Sequence, residues 1–551
     1  MIRSAFAILL FFASTIAAQA QQEPNDFLRK MQSEAAETGK ASWGRWGDHP
    51  KKYSSWTYHS NRLVPIYTFG LTMEKYTGGN SSYRSEEILT DIYGDMPKET
   101  LDPKATYMDQ TEVYFLQKAA IEAGKKNIIL IVFDGMDWQT SQAAAIYKNK
   151  SVEYEKGYGK GLAFLDYDRC EKDQADFVCS PHNSGTKSNV NSQTVSNVGG
   201  DKRGGYSAAY GGTHSWSQPN SESYLLGKMR NLPHVVTDSA ASATAMNCGI
   251  KTFNSSINVD PDGKQVVPLA RDLQEKGFKV GVVTSVPISH ATPACAYANN
   301  VTRNDYQDLT RDMLGLPSIA HREPLAGLDV VIGCGWGEEK DDDRKKQGDN
   351  YVPGNKYLTA DDLEAIDVEN GGKYRVAQRT ADRKGKRILN RAANKAASEG
   401  NRLFGFFGHA GGHLPYQTAD GNFDPTRGEK QADRYTPDEI KENPTLADMT
   451  DAALKVLGKG EQGFWLLIEA GDVDWANHNN NIDDSIGAVF SGESAFEAVV
   501  TWIEKNSNWN ESAVIVTADH GHFLVVTDPK ALTGQAGSSI VEVEAARSAD
   551  Q

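Results

Sequence analysis

Three segments carry residues whose types and spacing could do chemistry. In residues 464–478 (FWLLIEAGDVDWANH) an apolar run is followed by Glu469, then Asp474 and, four residues later, His478. On a helix that spacing puts Asp474 and His478 on one face, where both can grip one ion. A carboxylate with an imidazole suits zinc, whereas Glu469, Asp134 and a hydroxyl such as Thr292 would make a hard oxygen site suited to magnesium. Residues 514–522 (VIVTADHGH) add a second pair, Asp519-His520, with His522 behind it. Residues 236–245 (VTDSAASATA) place Ser239 at the start of a run of small, helix-compatible residues. Free N–H groups at such a helix start favour an anion, and a metal on the hydroxyl oxygen could activate it. No Gly-x-Ser-x-Gly elbow occurs, so a histidine-based triad is not indicated. Taken singly each motif has a plain reading as a cap or a turn.

The elements that must position these residues are short apolar runs at 127–133, 278–286, 328–333, 464–470 and 512–518, of the kind that buried parallel strands show. Helix-like segments separate them, for example 266–276, 386–400 and 493–505. The alternation predicts an α/β fold, a mostly parallel central sheet flanked by helices on both faces. Ligands in such sheets bind at the carboxyl ends of the strands. Four of the five runs lead at that end to liganding residues: Asp134; His290 and Thr292; Glu469 and Asp474; and Asp519-His520. Arg303, ten residues beyond Pro293, could clamp two oxygens of a phosphoryl group.

The 551 residues are 39% hydrophobic and 24% charged, ordinary for a protein with a proper core, and the net charge is −15. That balance argues against nucleic acid as a partner. Any positive charge toward a phosphate must be local, from an arginine or from metal ions. Residues 1–20 have a basic start, an apolar stretch over 5–18 and a small-x-small end, Ala18-Gln-Ala20. They read as a signal peptide cut after Ala20. No later segment reads as a membrane span, so a secreted or periplasmic protein without membrane contact is expected. Residues 21–125, aromatic and polar, read as an N-terminal extension packed on a catalytic domain at 126–551. Within it, residues 179–223 lack Leu, Ile, Phe and Met and read as a polar surface insertion. Of five cysteines, Cys170 and Cys179 are the expected disulfide, while Cys248 and Cys295 read as buried thiols.

Together, VTDSAASATA, SHATPA at 289–294 with Arg303, IEAGDVDWANH and VTADHGH resemble, in order and spacing, the signature blocks of alkaline phosphatases. The resemblance runs from residue 127 to about 525. It implies the alkaline phosphatase fold and the hydrolysis of small-molecule phosphate monoesters with two zinc ions and one magnesium. It implies that Ser239 forms a phosphoserine, that Arg303 holds the phosphoryl oxygens and that Asp238 orients Arg303. Asp134, Asp519 and His520 would bind the zinc at Ser239; Asp474 and His478 would bind the second zinc; Asp134, Thr292 and Glu469 would bind magnesium. Many relatives dimerise, so a homodimer is among the expected partners.

The family pattern adds a third ligand to the second zinc, a histidine well downstream of the Asp-His pair. Only 29 residues follow His522 and none is histidine. His409, His413, His522 or no residue at all remain open for that place. His290 and Trp475 stand where relatives vary near the magnesium and the phosphate. A phosphodiesterase of the same superfamily would be expected to lack Arg303 and Glu469. A sulfatase would need Arg where Cys179-Ser-Pro-His-Asn183 has Asn. The remaining alternative is a catalytically impaired protein that binds phosphate or metal.

Overall fold

In the computed structural model the described residues are 26–197, 203–232 and 234–535; the expected signal peptide lies outside them. Ten strands build the main sheet: β1 Val64–Phe69, β2 Met108–Asp109, β3 Asn127–Phe133, β4 Lys172–Val178, β5 Lys279–Pro287, β6 Val330–Cys334, β7 Tyr374–Gln378, β8 Arg402–Phe406, β9 Phe464–Ala470 and β10 Ser512–Thr517. All five expected runs are strands within it. Their order across the sheet is β7-β8-β6-β5-β9-β3-β10-β1-β4-β2. Only β1 is reversed: it pairs antiparallel with both β10 and β4, and every other pairing is parallel.

Every residue of β3, β9 and β10 is buried. Successive side chains point to opposite faces, so both faces are covered, and this is why the runs are continuously apolar instead of alternating. Two groups of helices provide the cover. One contains Glu112–Glu122, Ser239–Cys248, Leu269–Glu275 and Ala291–Cys295. The other contains Trp138–Asn149, Gly385–Glu399, Leu446–Leu457 and Ile482–Asn506. Contrary to the sequence reading, Ile482–Asn506 is long and apolar enough to cross a membrane by length and composition. Here it packs within the second group, with 61% of its apolar window buried.

Residues 26–125 supply β1 and β2 to the main sheet, and Trp43 and Trp46 are fully buried. Within 179–223 a hairpin pairs Thr186–Asn189 with Thr194–Asn197. The expected Cys170–Cys179 disulfide is not formed, and all five cysteines are free. The two residues bracket β4, seven residues long. At ~3.3 Å per residue that strand holds them more than about 20 Å apart, far beyond the reach of a disulfide.

Ile66, at the centre of β1 and fully buried, ties the N-terminal segment into the sheet. Ile66→Ala is expected to destabilise the protein by about 2–5 kcal/mol in denaturant-induced unfolding. An unchanged midpoint would show that β1 is dispensable to the core.

Candidate active site and metal centre

The carboxyl ends of β3, β5, β9 and β10 meet at one edge of the sheet, where the chain turns into the groups singled out above. Ser239 is the first residue of the helix Ser239–Cys248, ten buried residues, mostly Ala and Ser, that lie flush against the core. Asp238 caps that helix by accepting from the Ala241 N–H at 3.1 Å. Its other oxygen accepts from Arg303 Nη1 at 3.0 Å. The Arg303 backbone N–H donates to Ser255 O at 2.7 Å, and the Ser255 N–H donates back to Asp238 at 3.1 Å, which closes the loop around the guanidinium. Asp238, Ser239 and Arg303 are therefore one rigid unit facing a cavity of about 430 Å³, lined also by His290, Trp475 and Tyr416.

Beneath Ser239 lies a cluster of buried carboxylates and imidazoles. Ser239 Oγ is 3.2 Å from His520 Nε2, which lies 3.4 Å from Asp134 Oδ1 and 3.3 Å from Asp519 Oδ2. The Gly135 N–H donates to Asp519 Oδ1 at 3.0 Å. Gly135 has φ +70°, and a Cβ there would sit 2.8 Å from the His522 ring, so only glycine lets β3 and the 519–522 segment approach this closely. The helix Asp472–His478 forms as expected, with His478 Nε2 3.4 Å from Asp474 Oδ1. Glu469 accepts from the Thr284 hydroxyl.

His59 was missed in the sequence. A two-residue ladder sets Ser60 opposite Gly521 and His59 opposite His522. His59 Nε2 thereby lies 3.1 Å from His478 Nε2 and 3.5 Å from Asp474 Oδ1. His59 Nδ1–H donates to Thr237 O at 2.8 Å and His478 Nδ1–H to Thr57 O at 2.5 Å. Each backbone carbonyl fixes the tautomer and leaves an Nε2 lone pair aimed at Asp474, the arrangement of a metal-ligating histidine. His522 Nε2 also meets Asp474 Oδ1, at 2.7 Å. His59, Asp474, His520 and His522 offer ligand atoms within 4.8 Å of one another. The sequence signal was thin: a single histidine before an apolar run, some 400 residues from its partners. His409 and His413 are not brought to this cluster but face each other on the cavity wall.

The electrostatics fit divalent cations. Burial pushes Asp134 well above the usual carboxylate range, and Asp519, Asp474 and Glu469 push it further. Burial raises Glu469 to about 7 and Asp519 to about 6. Asp474 is held well below its usual range, because His478, His522 and His59 outweigh its burial. Burial, with neighbouring positive groups, lowers His522 to about 3 and His520 well below its usual value. Buried carboxylates and imidazoles in one cluster are the donor set of a mixed N/O metal centre; His59, beside Asp474, is shifted up instead of down. Asp134 Oδ1, Thr292 Oγ1, Glu469 Oε1 and Asp519 Oδ2 are buried with no hydrogen-bond partner. Buried polar atoms are seldom orphaned, and oxygens of this kind suit a hard cation. Asp134, His290 and Glu469 form a further group of convergent ligand atoms.

The fold and site define an α/β protein with a serine at a helix N-terminus beside a buried cluster of carboxylates and imidazoles. The sequence model of the alkaline phosphatase family matches residues 218–551, and the chain belongs to that family. It is 28% identical over 310 residues to alkaline phosphatase 3 of Bacillus subtilis, covering 54% of this chain and 53% of that protein. It is 30% identical over 322 residues to the alkaline phosphatase of Escherichia coli, covering 56% and 63% respectively. The chain thus spans between about half and two thirds of these relatives' lengths. Among solved structures it is similar to the alkaline phosphatase of Thermus thermophilus, with 22% identity, TM-score 0.43 and coverage of 72% of this chain and 60% of that one. The cold-active enzyme of Shewanella gives 20% identity, TM-score 0.41 and coverage of 72% and 68%.

If His59 is a ligand, His59→Ala should lower the zinc retained after dialysis by one equivalent, with the circular dichroism spectrum unchanged. Zinc content equal to the parent's, measured by inductively coupled plasma mass spectrometry, would rule that role out.

Proposed function

We propose that this chain hydrolyses phosphate monoesters to an alcohol and inorganic phosphate through a phosphoserine at Ser239. The observation that carries the reading is Ser239 itself: a hydroxyl at a helix N-terminus, beside a guanidinium and 3.2 Å from the His520 imidazole of a buried ligand cluster. Arg303, locked by Asp238, would take two oxygens of the phosphoryl group, and the N–H groups at the start of the Ser239 helix would face the same anion. Ser239 Oγ attacks phosphorus as the bond to the alcohol oxygen breaks, and its proton leaves with the alcohol. Water then attacks the phosphoserine, which frees phosphate and restores the hydroxyl.

Asp134, Asp519 and His520 are the proposed ligands of one zinc, and Asp474, His478 and His59 those of a second. Asp134, Thr292 and Glu469 are the proposed ligands of magnesium. Bound there, the cations would stabilise charge on the attacking and leaving oxygens of an in-line displacement. His59 takes the place that the family pattern gives to a downstream histidine, and Asp474 holds the three imidazoles around it in register. A dianionic monoester would meet the positive charge of the cations on one side and of Arg303 on the other. An exported setting, secreted or periplasmic, accompanies this reading through the leader-like residues 1–20.

With zinc and magnesium supplied at alkaline pH, the purified chain should turn over p-nitrophenyl phosphate, and Ser239→Ala should lower kcat by at least about a thousandfold. Turnover equal to that of the alanine variant would favour the binding-protein alternative. Faster release from bis-p-nitrophenyl phosphate would favour a diesterase.

A further inference from the structure

A second group of ligating side chains stands on the wall of the Ser239 cavity. After β8 the chain runs Phe407-Gly-His-Ala-Gly-Gly-His413 and folds back on itself. The His409 N–H donates to His413 O at 3.0 Å, and the Gly412 N–H donates to His409 O at 2.8 Å. Gly412 has φ +88°, which a turn this tight demands of it. The turn sets the two rings edge to face, with centroids 4.3 Å apart and the two Nε2 atoms 3.0 Å apart. Asp433, twenty residues on in sequence, brings Oδ2 to 3.6 Å from His413 Nε2. Ligand atoms of all three residues lie within 4.8 Å of one another.

The burial pattern is that of a site and not of a surface coincidence. His413 is 2% exposed and His409 7%, whereas the Asp433 side chain is 60% exposed. His413 and Asp433 both line the cavity. His413 Nδ1–H donates to Leu414 O at 2.5 Å, so its Nε2 lone pair faces His409 and Asp433 and accepts from the His409 Nε2–H. The buried Asp472 carboxylate lies behind it, 3.9 Å from Nδ1, with one oxygen lacking a hydrogen-bond partner. The usual support of a ligating imidazole is a hydrogen bond from its far nitrogen, here the one to Leu414 O. Burial and the neighbouring His413 lower His409 to about 4, so that ring is neutral at ordinary pH. The Gly411 N–H donates to His409 Nδ1 at 3.1 Å, which leaves the proton on Nε2. A cation at Nε2 would need that proton on Nδ1, in place of the Gly411 N–H contact.

We propose that His409, His413 and Asp433 form a further divalent-cation site, separate from the carboxylate cluster and open to the substrate cavity. Two imidazoles and one carboxylate select zinc and its first-row neighbours over magnesium or calcium. Three protein ligands leave a position free for water or an anionic group of a bound molecule. Trp475, which meets the His413 ring edge to face at 4.9 Å, adjoins both this pair and Asp474, so the two centres share a wall without sharing a ligand.

The full chain, stripped with chelator and then titrated with zinc alone, tests the assignment by the number of equivalents bound. His413→Ala should bind one zinc fewer than the parent, and Asp433→Asn should bind that zinc at least tenfold more weakly. The loss in His413→Ala should add to that in His59→Ala. A His59→Ala/His413→Ala double variant that loses no more zinc than His59→Ala alone would overturn the proposal. So would an Asp433→Asn variant with the parent's stoichiometry and affinity. Asp433 is exposed, so its variant keeps the test readable should the buried His413→Ala fail to fold.

Discussion

Asp134, Glu469, Asp474 and Asp519 lie together at one edge of the sheet, each 5% exposed or less. Two unit charges 4 Å apart repel by about 4 kcal/mol at an effective dielectric of 20, and several such pairs meet here. Left to itself the group takes up protons, as the raised values of Asp134, Glu469 and Asp519 show. Divalent cations bound there would relieve the same repulsion without neutralising the ligands. The strands β3, β9 and β10 are buried along their whole length, because the sheet must be covered on both faces before its edge can be dry.

The reversed strand β1 follows from this need. It pairs antiparallel with β10 and carries His59 and Ser60 back along Gly521 and His522. Arg62 anchors the passage: it donates to Asp137 at 3.1 Å and packs its guanidinium over Phe523 at 4.0 Å. Asp137 in turn caps the helix Trp138–Asn149 that follows β3. One buried ion pair thus joins the N-terminal segment, the Asp134 turn and the 519–523 segment. Those three pieces must keep register for the imidazoles to converge on Asp474.

The site has two mechanically different halves. Ser239, Asp238 and Arg303 are held by a helix cap and by backbone hydrogen bonds from nearby loops. His59, Asp474 and His478 are held by contacts across the chain, with the carbonyls of Thr237 and Thr57 aiming the two rings. In the proposed cycle the first half serves attack on phosphorus and the second serves hydrolysis of the phosphoserine.

Much of this was legible in the chain. Continuous apolar runs identify β3, β5, β6, β9 and β10, since burial on both faces leaves no polar alternation. The i, i+4 spacing of Asp474 and His478 and the Asp238-Ser239 helix start are local, so composition and period suffice to find them. Arg303 and the Asp519-His520 pair were found because they follow recognisable strand ends. His59 was not, because its role comes from a cross-strand pairing with His522 that no local pattern encodes. The free state of Cys170 and Cys179 was hidden in the same way, since their separation depends on β4 being extended. His409 and His413 could be named from the sequence, but only the turn that faces them toward each other, and Asp433 arriving from another loop, decided which cluster they join. Local spacing determines what one segment can ligate; which segments meet is settled by the pairing order of the sheet.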